Sequence, residues 1–267
     1  MIDTDGFREY LYEEELSQNT VSSYMFSLKR FAEQYADMTK ANVIAFKQML
    51  IAKGFKPQTV NLRITAILAY CKYKEIPMRI KLVKEQRKSH IDNVITADQV
   101  DRLLNGLKSD GNLLWYYNIL LLAKTGARIS EALRFTKKDI MTGSVTMHTK
   151  SHMRTIYFPQ SLTDEMREYL ADFRADDRVM RNQKGTQLCK KSMDTMLKKF
   201  AARYGIPREC MHAHAFRHFF AIEFLKRNNN IALLADVLGH TDVKMTQLYL
   251  RQSQEQQKDA VDRAVNW

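Results

Sequence analysis

The sequence predicts a mainly α protein with one small antiparallel sheet, divided into two parts near residue 90. Three observations carry this. Apolar residues recur at helical spacing along most of the chain. That period gives way to alternation in one stretch only, residues 144–158. Between the two parts lies a strongly basic segment, IPMRIKLVKEQRKSH at 76–90. Composition agrees: of 267 residues, 45% are apolar and 27% charged, enough material for real cores. With only 9 Gly and 4 Pro, a collagen-like or disordered chain is excluded.

Residues 1–80 read as helices joined by short turns. Asn19-Thr20 marks a helix start, after which Val21, Tyr24, Met25, Leu28 and Phe31 follow a 3.6-residue spacing. A second apolar set, Val43, Ile44, Phe46, Met49 and Leu50, ends at Lys53-Gly54, where glycine suits a helix C-cap. After Pro57 a third run begins: Val60, Leu62, Ile64, Ile67, Leu68, Tyr70. Its polar positions Asn61, Arg63 and Thr65 suit phosphates or base edges, or equally an ordinary solvated face. Residues 76–90 are poor in apolar periodicity. Their end, with Arg87 and Lys88, reads as a linker able to lie along a polyanion.

The second part opens at Thr96-Ala97-Asp98-Gln99, a capping box. A helix is expected over Trp115 to Lys124, stopping at Thr125-Gly126, and another over 129–138. Ser144 to Thr149 and Arg154 to Phe158 then form a hairpin, with Lys150 at its turn. From Leu162 onward the pattern reads as helical throughout.

Charge is the first functional clue. Lys and Arg total 42 against 30 acids, a formal net charge of +12. Residues 1–28 carry a net −5 and residues 29–92 a net +9. Such a surface attracts polyanions, nucleic acid above all, although a solvated basic surface is the bland alternative. Three scattered cysteines (Cys71, Cys189, Cys210) make no disulfide framework and fit a reducing cytoplasm. Apolar stretches such as Ile119 to Ala123 are far too short to span a bilayer, and the acidic N-terminus is no secretory signal. Walker and Rossmann glycine loops, HExxH and GxSxG are all missing, so nucleotide-driven and serine-hydrolase chemistry lacks support.

What remains is a series of cations followed by one tyrosine. In TGARISEALRF (125–135), Arg128 stands at a helix start, where a guanidinium and free N–H groups suit an anion. HAFRH (214–218) places His214 and Arg217 three apart on one helix face. LGHTDVKMTQLYLR (238–251) sets His240 in a turn and Tyr249 nine residues on. Each residue alone has an ordinary structural explanation; their order and spacing argue for a site. Cys210, His212, His214 and His218 form one soft-ligand cluster, but zinc sites usually pair two such clusters, so no metal and no cofactor is expected.

On these residues the chain resembles the tyrosine recombinase (phage integrase) family over nearly its whole length. Thr125-Gly-Ala-Arg128-Ile-Ser-Glu131 is similar to the family's first arginine box, and Lys150 to its hairpin lysine. His214 to Arg217 matches the H-x-x-R box, His240 the third-box position, and Tyr249 the nucleophile. Phe216 departs from the commoner leucine, a packing change.

The resemblance implies a four-helix core-binding domain over 1–86, a linker over 87–95 and a catalytic domain over 96–267, which clamp double-stranded DNA core sites arranged as inverted repeats. It assigns a base-like role to His214, the general acid to Lys150, phosphate holding to Arg128, Arg217 and His240, and support of the cluster to Glu131. A minimal Xer-like recombinase or DNA invertase acting as a tetrameric synapse follows. Its tail, 252–267, would dock on a neighbouring protomer through Ala260, Val261, Ala264, Val265 and Trp267. A type IB topoisomerase is the alternative with similar chemistry; the compact Gly-His turn and helical tail fit it less well.

Overall fold

Helices of the N-terminal unit begin where the sequence supplies a capping group. The computed structural model describes residues 2–85, 93–148 and 153–239, with Asp262 and Val265. The chain divides into two units, Met1–Arg87 and Lys88–Trp267. Four helices build the described part of the first: α1 (Thr4–Glu13), α2 (Gln18–Ala32), α3 (Lys40–Ala52) and α4 (Pro57–Tyr73). Asp3, Ser17 and Thr39 accept from the backbone N–H of Gly6, Thr20 and Asn42, while Pro57 fits the first turn of α4. Helix α2 therefore starts earlier than Asn19-Thr20 suggested, at the cap that Ser17 supplies. Phe7, Phe31, Phe46 and Ile64 are fully buried in the common core.

Residues 76–85 correct the sequence reading. Over 76–81 they do carry a period of two, with Ile76, Met78 and Ile80 packed against this core and Pro77, Arg79 and Lys81 exposed; Leu82 is exposed as well, and Val83 returns to the core. The segment is strapped down by Asn61, whose amide donates to the Val83 carbonyl (3.0 Å) and accepts from its N–H (2.8 Å). Lys47 Nζ donates to the Lys81 carbonyl at 2.6 Å. Arg87 and Lys88 lie outside the described residues.

In the second unit, α5 (Ala97–Ser109) starts at the expected capping box of Thr96 and Gln99. Helix α6 (Leu113–Thr125) is apolar on all sides and runs through the core, burying Trp115, Ile119, Leu120 and Leu121 among others. The helix expected over 129–138 is two, α7 (Ile129–Ala132) and α8 (Lys137–Met141). The break falls where Thr136 caps α8 and Phe135 turns into the core. Strands β1 (Ser144–His148) and β2 (Met153–Tyr157) pair antiparallel, with Met147 opposite Arg154 and Val145 opposite Ile156. Thr149 to His152, and Lys150 with them, lie outside the described residues.

After α9 (Gln160–Met166) the chain is not helical again until residue 190, against expectation. Asn182 accepts from the N–H groups of Lys184 and Thr186, and Gly185 adopts φ +76°, so local turn chemistry wins here. Isolated bridges then tie Arg181 to Gln187 and Thr136 to Arg178. Helices α10 (Lys190–Arg203), α11 (Ala213–Arg227) and α12 (Ile231–Leu238) complete the described unit. A satellite core of Ala221, Leu225, Leu234 and Leu238 joins α11 to α12 and so fixes where α12 ends. Among the described residues, no helix is long and apolar enough to cross a membrane. The tail lies outside them except for Asp262 and Val265, both exposed.

Candidate functional site

The site is built around two glycine-terminated helix ends. Gly126, in the left-handed conformation at φ +59°, caps α6 and turns the chain into Arg128. A Cβ there would stand 2.5 Å from the Phe220 ring, so the turn needs glycine on both counts. Thr125 stiffens the turn, its hydroxyl donating to the Leu121 carbonyl (2.6 Å) and accepting from the Ala127 N–H (3.3 Å). Gly239, at φ +62°, caps α12, and a Cβ on it would fall 2.5 Å from Arg154 Cδ.

Three arginines from distant parts of the chain converge on the end of α12. Arg217, from α11, donates to the Leu238 carbonyl at 2.6 Å and to the Gly126 carbonyl at 2.9 Å, and is 1% exposed. Arg154, from β2, donates to the same Leu238 carbonyl, which has two lone pairs to offer. Arg128 donates to the Gly239 carbonyl at 3.2 Å. Carbonyls at a helix C-terminus carry the negative end of the helix dipole and hold cations without cancelling their charge. Positive charge is thereby gathered at one place and kept available for an anion.

Glu131 organises the group. It is 3% exposed, and its Oε1 faces Arg128 Nη1 at 3.1 Å. Its Oε2 accepts the Arg128 N–H at 2.7 Å and pairs with Arg154 Nη2 at 3.1 Å. Arg128 is the partly solvent-facing member, with 40% of its side chain exposed. Burial pushes the Arg154 pKa down, Glu131 pulls it back up, and Arg128 opposes that.

His214 lies one turn before Arg217 on α11 with an exposed ring, edge-on to His218 at 4.5 Å between centroids. Partial desolvation lowers its pKa from the ordinary histidine value, and Arg217, His212 and Arg128 add to the effect. Its imidazole is therefore neutral near pH 7, the form able to take a proton. His212 caps α11 by accepting the Ala215 N–H on Nδ1 at 3.1 Å, a structural use of that nitrogen. Among the described residues, no three His, Cys, Asp or Glu side chains group as a metal set.

The structure thus brings together Arg128, Glu131, His214 and Arg217, while His240 and Tyr249 lie outside the described residues. Glu131 pairs with Arg128, and its other partner is Arg154, to which sequence reasoning gave no role. A signal existed: Arg154, Ile156 and Phe158 alternate onto the buried face of β2, and an arginine at such a position needs a partner. In the N-terminal unit Asn61 is engaged in the strap described above and also donates to Glu85 at 3.0 Å. Arg63 lies two residues from Asn61 and Thr65, so it points to a different side of α4 from those two. There it donates to Ser27 Oγ (3.2 Å) and covers the Phe26 ring at 4.6 Å. Thr65 is half-buried.

Comparison with known proteins bears on the same residues. Residues 93–256 match the phage integrase family, well over half the chain. The chain belongs to the phage integrase family of tyrosine-type site-specific recombinases. Within that family, the tyrosine recombinase XerA of Pyrococcus furiosus is 29% identical over 270 residues, covering 97% of this chain and 93% of its own. The tyrosine recombinase XerD of Oceanobacillus iheyensis is 25% identical over 285 residues, covering 96% of this chain and 95% of its own. The solved Tn1549 transposon integrase in complex with transposon right end DNA superposes with a TM-score of 0.75 at 15% identity, covering 100% of both chains. At that identity the likeness shows the fold, which is that of this integrase: mainly α with one small antiparallel sheet.

Proposed function

We propose that this recombinase cuts and rejoins DNA through a covalent 3′-phosphotyrosine on Tyr249, without metal or ATP. The observation that carries the reading is the convergence of Arg128 and Arg217 on the carbonyls of α6 and α12, one turn from His214. Two preorganised guanidiniums suit the two non-bridging oxygens of a phosphodiester, whose charge grows in the in-line transition state. His240, directly after Gly239 in sequence, is the third phosphate donor. Tyr249 Oη attacks phosphorus: the Oη–P bond forms, the P–O5′ bond breaks, and the phenolic proton passes to His214. The departing 5′ oxygen takes its proton from Lys150. Because the phosphotyrosine conserves the bond, attack by a 5′ hydroxyl reverses each step and reseals the strand.

Residues 1–86 serve as the core-binding domain, 87–95 as linker and 96–267 as catalytic domain. The net charge of +9 over residues 29–92 supports contact with phosphates, with Arg63, Thr65, Arg87 and Lys88 as contributors. The relatives' names and the DNA in the Tn1549 integrase structure support double-stranded core sites as substrate. Strand exchange takes place in the cytoplasm, in a tetrameric synapse, with the tail of one protomer docked on the next and inversion among the outcomes. Tyr249→Phe tests the chemistry. The variant should bind core-site DNA normally and yield no denaturant-resistant protein–DNA adduct; an adduct at wild-type level would overturn the assignment.

A further inference from the structure

Arg154 is buried, charged and unused by the chemistry just described. Its side chain is 5% exposed, with the guanidinium turned to Glu131 and the Leu238 carbonyl. What it touches is the apparatus around Arg128: Glu131 Oε2 at 3.1 Å, the Leu238 carbonyl that also holds Arg217, and the space beneath Gly239. Burying a guanidinium costs several kcal/mol unless its charge is answered, and here the equally buried Glu131 answers it. The carboxylate that answers its charge also holds Arg128.

We infer that Arg154 is a positioning residue that sets the orientation of Arg128 through their shared carboxylate. Glu131 is almost wholly buried and has to be answered by cations. With Arg154 present, Oε2 accepts the Arg128 N–H and stands 3.1 Å from the charge on Arg154 Nη2. One Arg128 nitrogen then suffices for Oε1, a second reaches the Gly239 carbonyl, and the exposed face of the guanidinium stays open to a phosphate. Without Arg154, Glu131 has Arg128 alone, and the Arg128 side chain turns inward to a closer pair. The Leu238 carbonyl likewise loses the Arg154 donor and keeps that of Arg217. Arg154 therefore acts on catalysis at one remove, by keeping Arg128 from being consumed by its own partner.

This inference rests on the phosphate-binding role proposed for Arg128, and the experiment separates the two. The probe is a core-site duplex carrying either a normal scissile phosphodiester or a methylphosphonate, whose methyl group replaces one non-bridging oxygen and removes the charge that Arg128 would answer. Covalent adduct formation is followed in single turnover for wild type, Arg128→Ala, Arg154→Lys and Arg154→Met, with DNA affinity measured in parallel. Arg154→Lys keeps a charge and a stem that fit the site, so it folds, but one ammonium cannot span Glu131 and Leu238. It should bind DNA as wild type and cleave the phosphodiester roughly tenfold to a hundredfold more slowly, by analogy with groups that orient a metal-ligating side chain. Arg154→Met should lose more.

On the methylphosphonate the deficits of Arg128→Ala and of both Arg154 variants should shrink together. If Arg128→Ala is as impaired on the neutral substrate as on the charged one, the reading of Arg128 itself fails. If Arg128→Ala recovers and Arg154→Lys does not, or if Arg154→Lys cleaves the phosphodiester at wild-type rate, Arg154 has no positioning role and the inference is overturned.

Discussion

Replacing Glu131 by glutamine removes one negative charge and almost no volume, so its effect measures what that charge does. Arg154 and Glu131 are 5% and 4% exposed in their side chains and meet at 3.1 Å, so this pair belongs to the buried class. Exposed ion pairs contribute about 0–1 kcal/mol, whereas removing one partner of a buried pair costs about 3–5 kcal/mol by stranding the other. Arg128, 40% exposed, finds water when Glu131 changes and adds little. Glutamine keeps an acceptor oxygen, which places the expected loss near the low end, about 3 kcal/mol. For a unit of this size, about 2–4 °C per kcal/mol converts that to a fall in melting temperature of roughly 6–12 °C. Circular dichroism melts of Glu131→Gln, Arg154→Met and the double variant supply the assay. The double variant strands no charge, so it should melt above the sum of the two single losses. A shift below about 2 °C for Glu131→Gln, or strict additivity in the double variant, would refute the claim that a buried charge pair organises the site.

Three further outcomes are expected. Arg217→Ala leaves the Gly126 and Leu238 carbonyls short of donors and removes the transition-state partner proposed above, so DNA cleavage should fall by about 10²–10³ while site binding persists; near wild-type cleavage would place Arg217 away from the phosphate. His214 has a folded-state pKa below its unfolded value, so the unfolded chain binds protons first on acidification. The stability contributed by neutral His214 is full above the ordinary histidine value of about 6.5 and is lost as pH falls through the lowered one. Single-turnover cleavage should decline over the same window, and an acid limb unchanged in His214→Gln would assign it to another group. Asn61→Ala cuts two hydrogen bonds to Val83, about 1–2 kcal/mol, and should release the strap to faster tryptic cleavage after Lys81 and Lys84; an unchanged digestion rate would show that the apolar contacts alone hold it.

The sequence by itself determined what depends on near neighbours. The helix start at Thr96, the stop at Gly126 and the strand alternation over 144–158 follow from caps, φ preferences and side-chain period, all settled within a few residues. The arginine and histidine boxes were legible for the same reason: each is a short local string, His214 and Arg217 three apart or Arg128 beside its own Glu131. Where competing local signals met, pattern reading failed. Residues 167–189 carry helix-forming side chains, but Asn182 and Gly185 impose turns, and the basic character of 76–85 hid a short alternation over 76–81 that only packing on the core reveals.

Tertiary structure alone decided where each charged group ends. Arg128, Arg154 and Arg217 stand 111, 84 and 21 residues from the carbonyls that hold them at the end of α12. Those acceptors are main-chain oxygens of Leu238 and Gly239, which every residue possesses, so no side-chain pattern announces them. The same holds for Asn61, whose amide would suit a base edge in an isolated helix and instead meets the backbone of Val83. A cation's identity is written in the sequence, but its electrostatic partners are chosen by whichever buried backbone and carboxylate groups must be satisfied where the chain brings it.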